Sequence, residues 1–249
     1  DKNFAIEYNG MYWHSADKET DDQFRFKHVE KRVACESQGI RLLQIREDKY
    51  SKRSEVFKSV VANALGLSKK IAARKCSVVD LDSAQARSFF DQNHVDGAAI
   101  ASVCIGLQYD NELVAAMTFG APRFNSRYDW ELIRFANARF VRVIGGASKM
   151  LAYFRSRHSG SIISYCNFDC NQGAVYERLG MKRESISAPN YVWVKGQMVL
   201  TRYQTQKHKL PSVLESFDVN LSEAANMFEN GFRRYWDSGN AVYVLREAS

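Results

Sequence analysis

Two short apolar segments on either side of a charged stretch limit what the first part of this chain can fold into. FAIEY (4–8) and IRLLQI (40–45) have the composition of buried strands, and residues 21–38 have the apolar spacing of a helix that Gly39 ends. A second amphipathic helix is predicted over 54–65, with Gly66 as its stop. Strands alternating with helices predict an α/β fold for residues 1–70.

Residues 76–205 predict a mixed sheet with helices packed on it. Two strands meet at Asp110-Asn111, a pair typical of a tight hairpin, and WELIRFANAR (130–139) reads as another strand. RVIGGA (142–147) is a glycine turn that opens a helix, and a strand and a second helix follow it. The remaining part, 206–249, carries a helical segment and the strand AVYVL, and we expect it to pack on this sheet. The whole chain is therefore predicted to be an α/β (α+β) protein in three parts, 1–70, 76–205 and 206–249.

The charge of the chain indicates an anionic partner. The sequence has 35 Lys and Arg against 28 Asp and Glu, a net charge of +7, and the basic excess lies in the first two thirds. Double-stranded DNA is the partner that we expect from this excess, while the oligomeric state stays open. Neither a signal peptide nor a long apolar run is visible, so we expect a cytoplasmic protein with no membrane partner. The five scattered cysteines are expected to be reduced and mostly buried.

The first predicted strand carries polar side chains where apolar ones are expected. Glu7 and Asn9 lie two residues apart, so they share one face of the strand, and His14 follows in the next turn. Burying an unpaired carboxylate is costly, and a bound cation offsets that cost. A glutamate that is merely tolerated at the end of a strand remains the alternative.

The pattern IEYNGMYWH (6–14), followed by a lysine-bearing helix and GIRLLQIRED (39–48), resembles the PD-(D/E)XK nucleases. The nearest relatives would be phage-encoded enzymes of the very-short-patch-repair type and the EDxHD homing endonucleases, over residues 1–66. The resemblance implies Mg²⁺ or Mn²⁺ bound at Glu7 and Asn9, with His14 near the scissile phosphate and Lys31 and Gln44 completing the catalytic set. Such a metal ion activates water and neutralises charge on a phosphate. A solvated Lys31 and a backbone-bonded Gln44 remain the structural alternatives.

One part of the nuclease pattern is missing from this chain. The resemblance implies a further strand just upstream of Asp1 that supplies a first metal-binding aspartate. Either a segment precedes Asp1 in the complete gene product, or the catalytic site is incomplete. The leading prediction is a metal-dependent DNA endonuclease of homing type that hydrolyses phosphodiester bonds in the cytoplasm of a phage host. A relative that binds DNA without cleaving it remains an alternative.

A second resemblance lies in the middle of the chain. RVIGGA (142–147) and NQGAVYERLGM (171–181) are similar to two ordered motifs of the GNAT N-acetyltransferases. The resemblance implies a GNAT-like fold, in which a turn bearing Arg142, Gly145, Gly146 and Ala147 brings backbone N–H groups to the pyrophosphate of acetyl-CoA. The alternative function is therefore an acyltransferase that uses acetyl-CoA or a related donor.

Under the endonuclease interpretation, the GNAT-like part would grip DNA instead. Basic residues interleaved with aromatic ones are the candidates for that contact, because they pair with phosphates and stack on bases. They are Arg123, Arg127, Arg139, Lys69 and Lys70. Ordinary solvated surface residues are the alternative, since surface arginines are common.

Overall fold

A computed structural model describes residues 3–247 of the chain. The N-terminal part is built on a parallel pair of strands, β1 (Phe4–Asn9) and β3 (Arg41–Arg46). The elements between and after them are β2 (Ser15–Ala16), α1 (Asp21–Phe24), α2 (Lys27–Ser37) and α3 (Glu47–Leu65). Leu43, Ile45 and Phe57 form the core beneath this pair of strands.

Two helices differ from their predicted bounds. The helix predicted over 21–38 is interrupted at residues 25–26, between α1 and α2. The helix predicted from residue 54 begins at Glu47, since two acidic residues in its first turn favour a helix N-terminus there. It is kinked at Arg53, where φ is −142° and ψ is 38°. Gly66 ends it in the left-handed conformation, with φ 79°, as predicted.

Seven strands form one large mixed sheet in the order β11-β15-β10-β8-β7-β6-β5. The central pair, β8 and β10, is parallel, and the other neighbours are antiparallel. Six of the strands are β5 (Ser77–Asp80), β6 (Val103–Tyr109), β7 (Glu112–Gly120), β8 (Trp130–Asn137), β10 (Ile162–Asn167) and β11 (Lys182–Ile186). The helices of this part are α4 (Ser83–Asn93), α5 (Gly146–Arg155) and α6 (Ala174–Arg178). This arrangement confirms the predicted α/β class and the GNAT-like mixed sheet.

The core of the large sheet lies between β6, β7 and α5. Phe119 on β7 stacks on Phe154 of α5, with 3.7 Å between ring centroids, and both are fully buried. The hairpin between β6 and β7 turns at Asp110 and Asn111, whose φ angles of 51° and 63° belong to the predicted tight turn.

The last residues of the described chain complete two sheets. β15 (Asn240–Leu245) lies between β10 and β11 in the large sheet. A four-stranded sheet joins β12 (Tyr191–Lys195), β13 (Met198–Thr201) and β14 (Arg233–Trp236) to β2 of the N-terminal part, and α7 (Glu223–Glu229) precedes β14. A parallel pair, β4 (Lys69–Ala72) and β9 (Val141–Ile144), links the segment after α3 to the large sheet. The predicted division at 1–70, 76–205 and 206–249 stays a prediction. Among residues 3–247 there is no helix long and apolar enough to cross a lipid bilayer.

Candidate functional site

The two parallel strands at the centre of the large sheet separate soon after they meet. In the described chain β8 and β10 are paired only through residues 130–131 and 162–163, although β8 continues to Asn137 and β10 to Asn167. Beyond the paired residues the two strands share no backbone pairing, and Ser164 Oγ of β10 donates to the carbonyl of Leu132 on β8 at 2.8 Å. Backbone groups at an unpaired strand edge need partners, and a ligand that enters the gap can supply them.

A β-bulge explains where the strands separate. Thr118 on β7 lies opposite Arg134, and the next residue, Phe119, lies opposite Leu132, so Ile133 is an extra residue on β8. A bulge bends its strand and increases the local twist. The bend falls immediately after the two residues that pair with β10, and it accounts for the opening between the strands.

The opening is a cavity of about 570 Å³, which we call the cleft. Its main walls are the edge of β8 (133–138), the turn into α5 (141–148) and the segment around α6 (171–179). Residues 56–64 of α3 and residues 93–96 at and after the end of α4 form further parts of the wall. Because α3 follows directly on β3, the cleft is shared by the N-terminal part and the large sheet.

A glycine turn forms the mouth of the cleft, as the sequence predicted. Gly145 precedes α5 with φ 79°, a conformation that favours glycine. Gly146 begins the helix, and a Cβ added there would lie 3.0 Å from two carbon atoms of Val143. Small residues at both positions therefore let the chain turn sharply into α5. The first N–H groups of this ten-residue helix have no partner within the helix, and they favour an anion.

The charged side chains that line the cleft are mainly cationic. Among the described lining residues, one carboxylate, Asp96, stands against four arginines. The carboxylate of Asp96 accepts a hydrogen bond from Lys49 Nζ at 2.6 Å, so its charge is already balanced. The cleft therefore favours a ligand with several negative charges. The arginines are Arg41, Arg134, Arg142 and Arg178.

His94 and Asp96 lie side by side in the wall of the cleft. Burial lowers the pKa of His94 to about 4, so the ring is neutral at physiological pH. His94 Nδ1 accepts the backbone N–H of Asp96 at 3.0 Å, which assigns the ring proton to Nε2. Burial opposes ionisation of Asp96, yet the charge of Lys49 overrides it and holds the pKa of this carboxyl well below its usual range.

Tyr176 of α6 also lines the cleft. Its ring stacks on that of Tyr243, with 4.9 Å between centroids. Burial raises the pKa of Tyr176 to about 12 and that of the Cys170 thiol, which also lines the cleft, to about 12. Both groups therefore keep their protons at neutral pH, and the phenol can donate a hydrogen bond or a proton.

The residues predicted for nuclease chemistry lie in one cluster, in which Asn9 and Gln44 are buried and Lys31 is exposed. Lys31 Nζ donates to Glu7 Oε1. Gln44 Oε1 lies 2.6 Å from His28 Nδ1, and Asn9 Nδ2 lies 3.4 Å from the same nitrogen. The short contact to Gln44 requires the proton on His28 Nδ1. Sequence reasoning missed His28, because a histidine in a charged helix gives no sign that it is buried.

His14 closes the same cluster. Its ring stacks on His28 with 5.3 Å between centroids, and burial lowers the pKa of His14 to about 4. In the described chain, four buried atoms of this cluster have no hydrogen-bond partner: Glu7 Oε2, Asn9 Oδ1, His14 Nδ1 and His28 Nε2. Within residues 3–247, however, no three His, Cys, Asp or Glu side chains are placed to hold one metal ion. Binding of Mg²⁺ or Mn²⁺ at Glu7 and Asn9 stays a prediction.

The residues predicted to contact DNA lie in different surroundings. Arg123 is held by the buried carboxylate of Glu131, which accepts its backbone N–H at 2.8 Å and its Nε at 3.0 Å. Arg127 and Arg139 have exposed side chains. Lys69 and Lys70 are exposed on β4, and Lys69 Nζ lies 6.0 Å from the centre of the Tyr109 ring. Their contact with DNA stays a prediction.

Comparison with known proteins gives a match among solved structures only. No family model and no curated protein matches the chain. The solved structures that match include an acetyltransferase of the GNAT family from Bacillus cereus ATCC 10987, with 14% sequence identity and a TM-score of 0.37. The match covers 70% of this chain and 99% of that chain.

The predicted metal-dependent endonuclease, with its hydrolase chemistry, is contradicted. The finding against it is the solved structure named above, which is an acetyltransferase.

Proposed function

We propose that the protein is an acyltransferase of GNAT type that binds acetyl-CoA or a related acyl donor in the cleft. One observation carries the proposal: two parallel strands pair through two residues and then separate, and a glycine turn with a helix N-terminus lies at the open end. An extended, amide-bearing arm can bond to free strand edges as an added strand would. Phosphate groups fit the turn and the arginines beside it.

The donor would supply a thioester carbonyl to a nucleophilic acceptor. The residues of this chain would hold the donor, exclude water and manage protons. A departing thiolate takes up a proton, and Tyr176 is our candidate to give one, because its phenol lines the cleft and stays protonated. The neutral Nε2–H of His94 offers a further hydrogen bond inside the same cavity.

The net charge of +7 supports an anionic partner, and double-stranded DNA stays our proposal for it. We also propose that the protein lies in the cytoplasm. We likewise propose that residues 1–66 are related to the PD-(D/E)XK nucleases. This proposal concerns common ancestry and not DNA cleavage.

Isothermal titration with coenzyme A tests the proposed function directly. We expect binding by the parent chain and an affinity about fivefold lower for Arg178→Gln, which removes one charge from the cleft wall. Arg139→Gln is the matched control, because it removes the same charge from an exposed position outside the cleft. No detectable binding at millimolar coenzyme A would refute the proposal.

A further inference from the structure

Two cations lie side by side at the rim of the cleft. In the parallel pair of β4 and β9, Lys70 is the direct partner of Arg142. The next pair along, Ile71 and Val143, is buried on the other face, with 5% and 6% of each residue exposed. Lys70 and Arg142 therefore project from the same outward face.

This juxtaposition is unfavourable without a ligand. Like charges directly opposite each other destabilise a strand pair. None of the ion pairs among residues 3–247 includes Lys70 or Arg142, so no carboxylate offsets the repulsion. Two adjacent unpaired cations match a group that carries about two negative charges, such as a phosphate monoester.

The position of the pair indicates which part of a ligand it would meet. Arg142 lines the cleft three residues before Gly145, whereas Lys70 lies just outside the lining. A ligand whose phosphates reach the glycine turn would place its outer end next to β4. Lys70 belongs to the segment that follows α3, so this contact would come from outside the large sheet.

We propose that Lys70, together with Arg142, binds a terminal phosphate monoester on the outer end of the acyl donor. The proposal rests on the proposed function, and it deepens it by naming a specificity. The protein would prefer donors with a phosphate on the ribose over donors that lack it. Arg142 would contact both the phosphates at the glycine turn and the terminal phosphate, whereas Lys70 would contact the terminal phosphate only.

The test compares coenzyme A with dephospho-coenzyme A by isothermal titration. We expect the parent chain to bind coenzyme A about tenfold more tightly. Lys70→Gln should abolish this preference by weakening coenzyme A about tenfold while leaving dephospho-coenzyme A unchanged, and Lys70→Arg should keep most of it. Lys69→Gln is the control, because it removes the same charge from the opposite face of the same strand.

The outcomes separate the two proposals. If the parent binds both ligands equally, or if Lys70→Gln weakens both to the same extent, the assignment of Lys70 to a terminal phosphate is wrong while the donor cleft stands. If the parent binds neither ligand, the proposed function itself has failed. Both substituted lysines are exposed, so the variants are expected to fold.

Discussion

Lowering the pH should destabilise this protein in part through one histidine of the cleft. His94 is half-buried, and burial lowers its pKa from 6.5 to about 4. As the pH falls below 6.5, the ring becomes protonated in the unfolded chain before it does so in the folded one. The free energy of unfolding therefore falls between about pH 6.5 and pH 4, and the contribution of His94 stays constant below that range.

The size of the effect follows from the two pKa values. Between pH 7 and pH 5, a group with pKa 6.5 in the unfolded chain and about 4 in the folded one loses about 1.8 kcal/mol of folding free energy. The ring is not fully shielded from solvent, so we expect about 1 kcal/mol.

Urea unfolding at pH 7 and pH 5 measures this quantity, with the parent and His94→Gln compared under the same conditions. All other titrating groups are common to both proteins, so the difference between their pH dependences isolates His94. We expect the parent to lose about 1 kcal/mol more than the variant. Equal losses in the two proteins would show that His94 is not held neutral by burial, and the account of this wall of the cleft would be wrong.

Three substitutions test other parts of the molecule. Gly146→Ala should lower the free energy of unfolding by about 1 kcal/mol and weaken coenzyme A binding, because the new Cβ would lie 3.0 Å from Val143. Urea unfolding and calorimetric titration measure the two effects. An unchanged affinity would contradict the role of the glycine turn. Glu131→Gln should cost about 2 kcal/mol in urea unfolding, since a buried carboxylate that accepts from an arginine is lost; a cost near zero would contradict a structural role. Ser59→Ala should lower the free energy of unfolding by about 1 kcal/mol and weaken coenzyme A binding severalfold, because the Ser59 hydroxyl accepts the backbone N–H of Phe140, just before β9. Lys58→Ala, at an exposed position, is the control. Loss of stability without loss of affinity would contradict a role of α3 in coenzyme A binding.

Local signals in the sequence predicted local structure well. A left-handed residue is required at Gly145 and at the Asp110-Asn111 turn, and glycine and asparagine adopt that conformation at low cost. The two strands predicted for the N-terminal part pair in parallel, and their register places Glu7 directly opposite Gln44.

Features that depend on distant parts of the chain could not be predicted in this way. The bulge at Ile133 depends on the register between two strands, and no residue type marks it. The insertion of β15 between β10 and β11 joins residues far apart in the sequence. The contacts of Glu7 with Lys31 and of Gln44 with Ser238 also depend on tertiary structure that the motif does not specify.

The N-terminal part and the cleft are physically joined at Phe140. This residue has φ 59°, a strained conformation for an aromatic side chain, and two bonds from outside the large sheet hold it. Its N–H donates to Ser59 Oγ of α3 at 2.7 Å, and its carbonyl accepts from the backbone N–H of Lys69 at 2.8 Å. Arg142 and the glycine turn follow directly, so the mouth of the cleft takes its position from α3 and β4 as much as from its own sheet. The N-terminal part is therefore a component of the cleft.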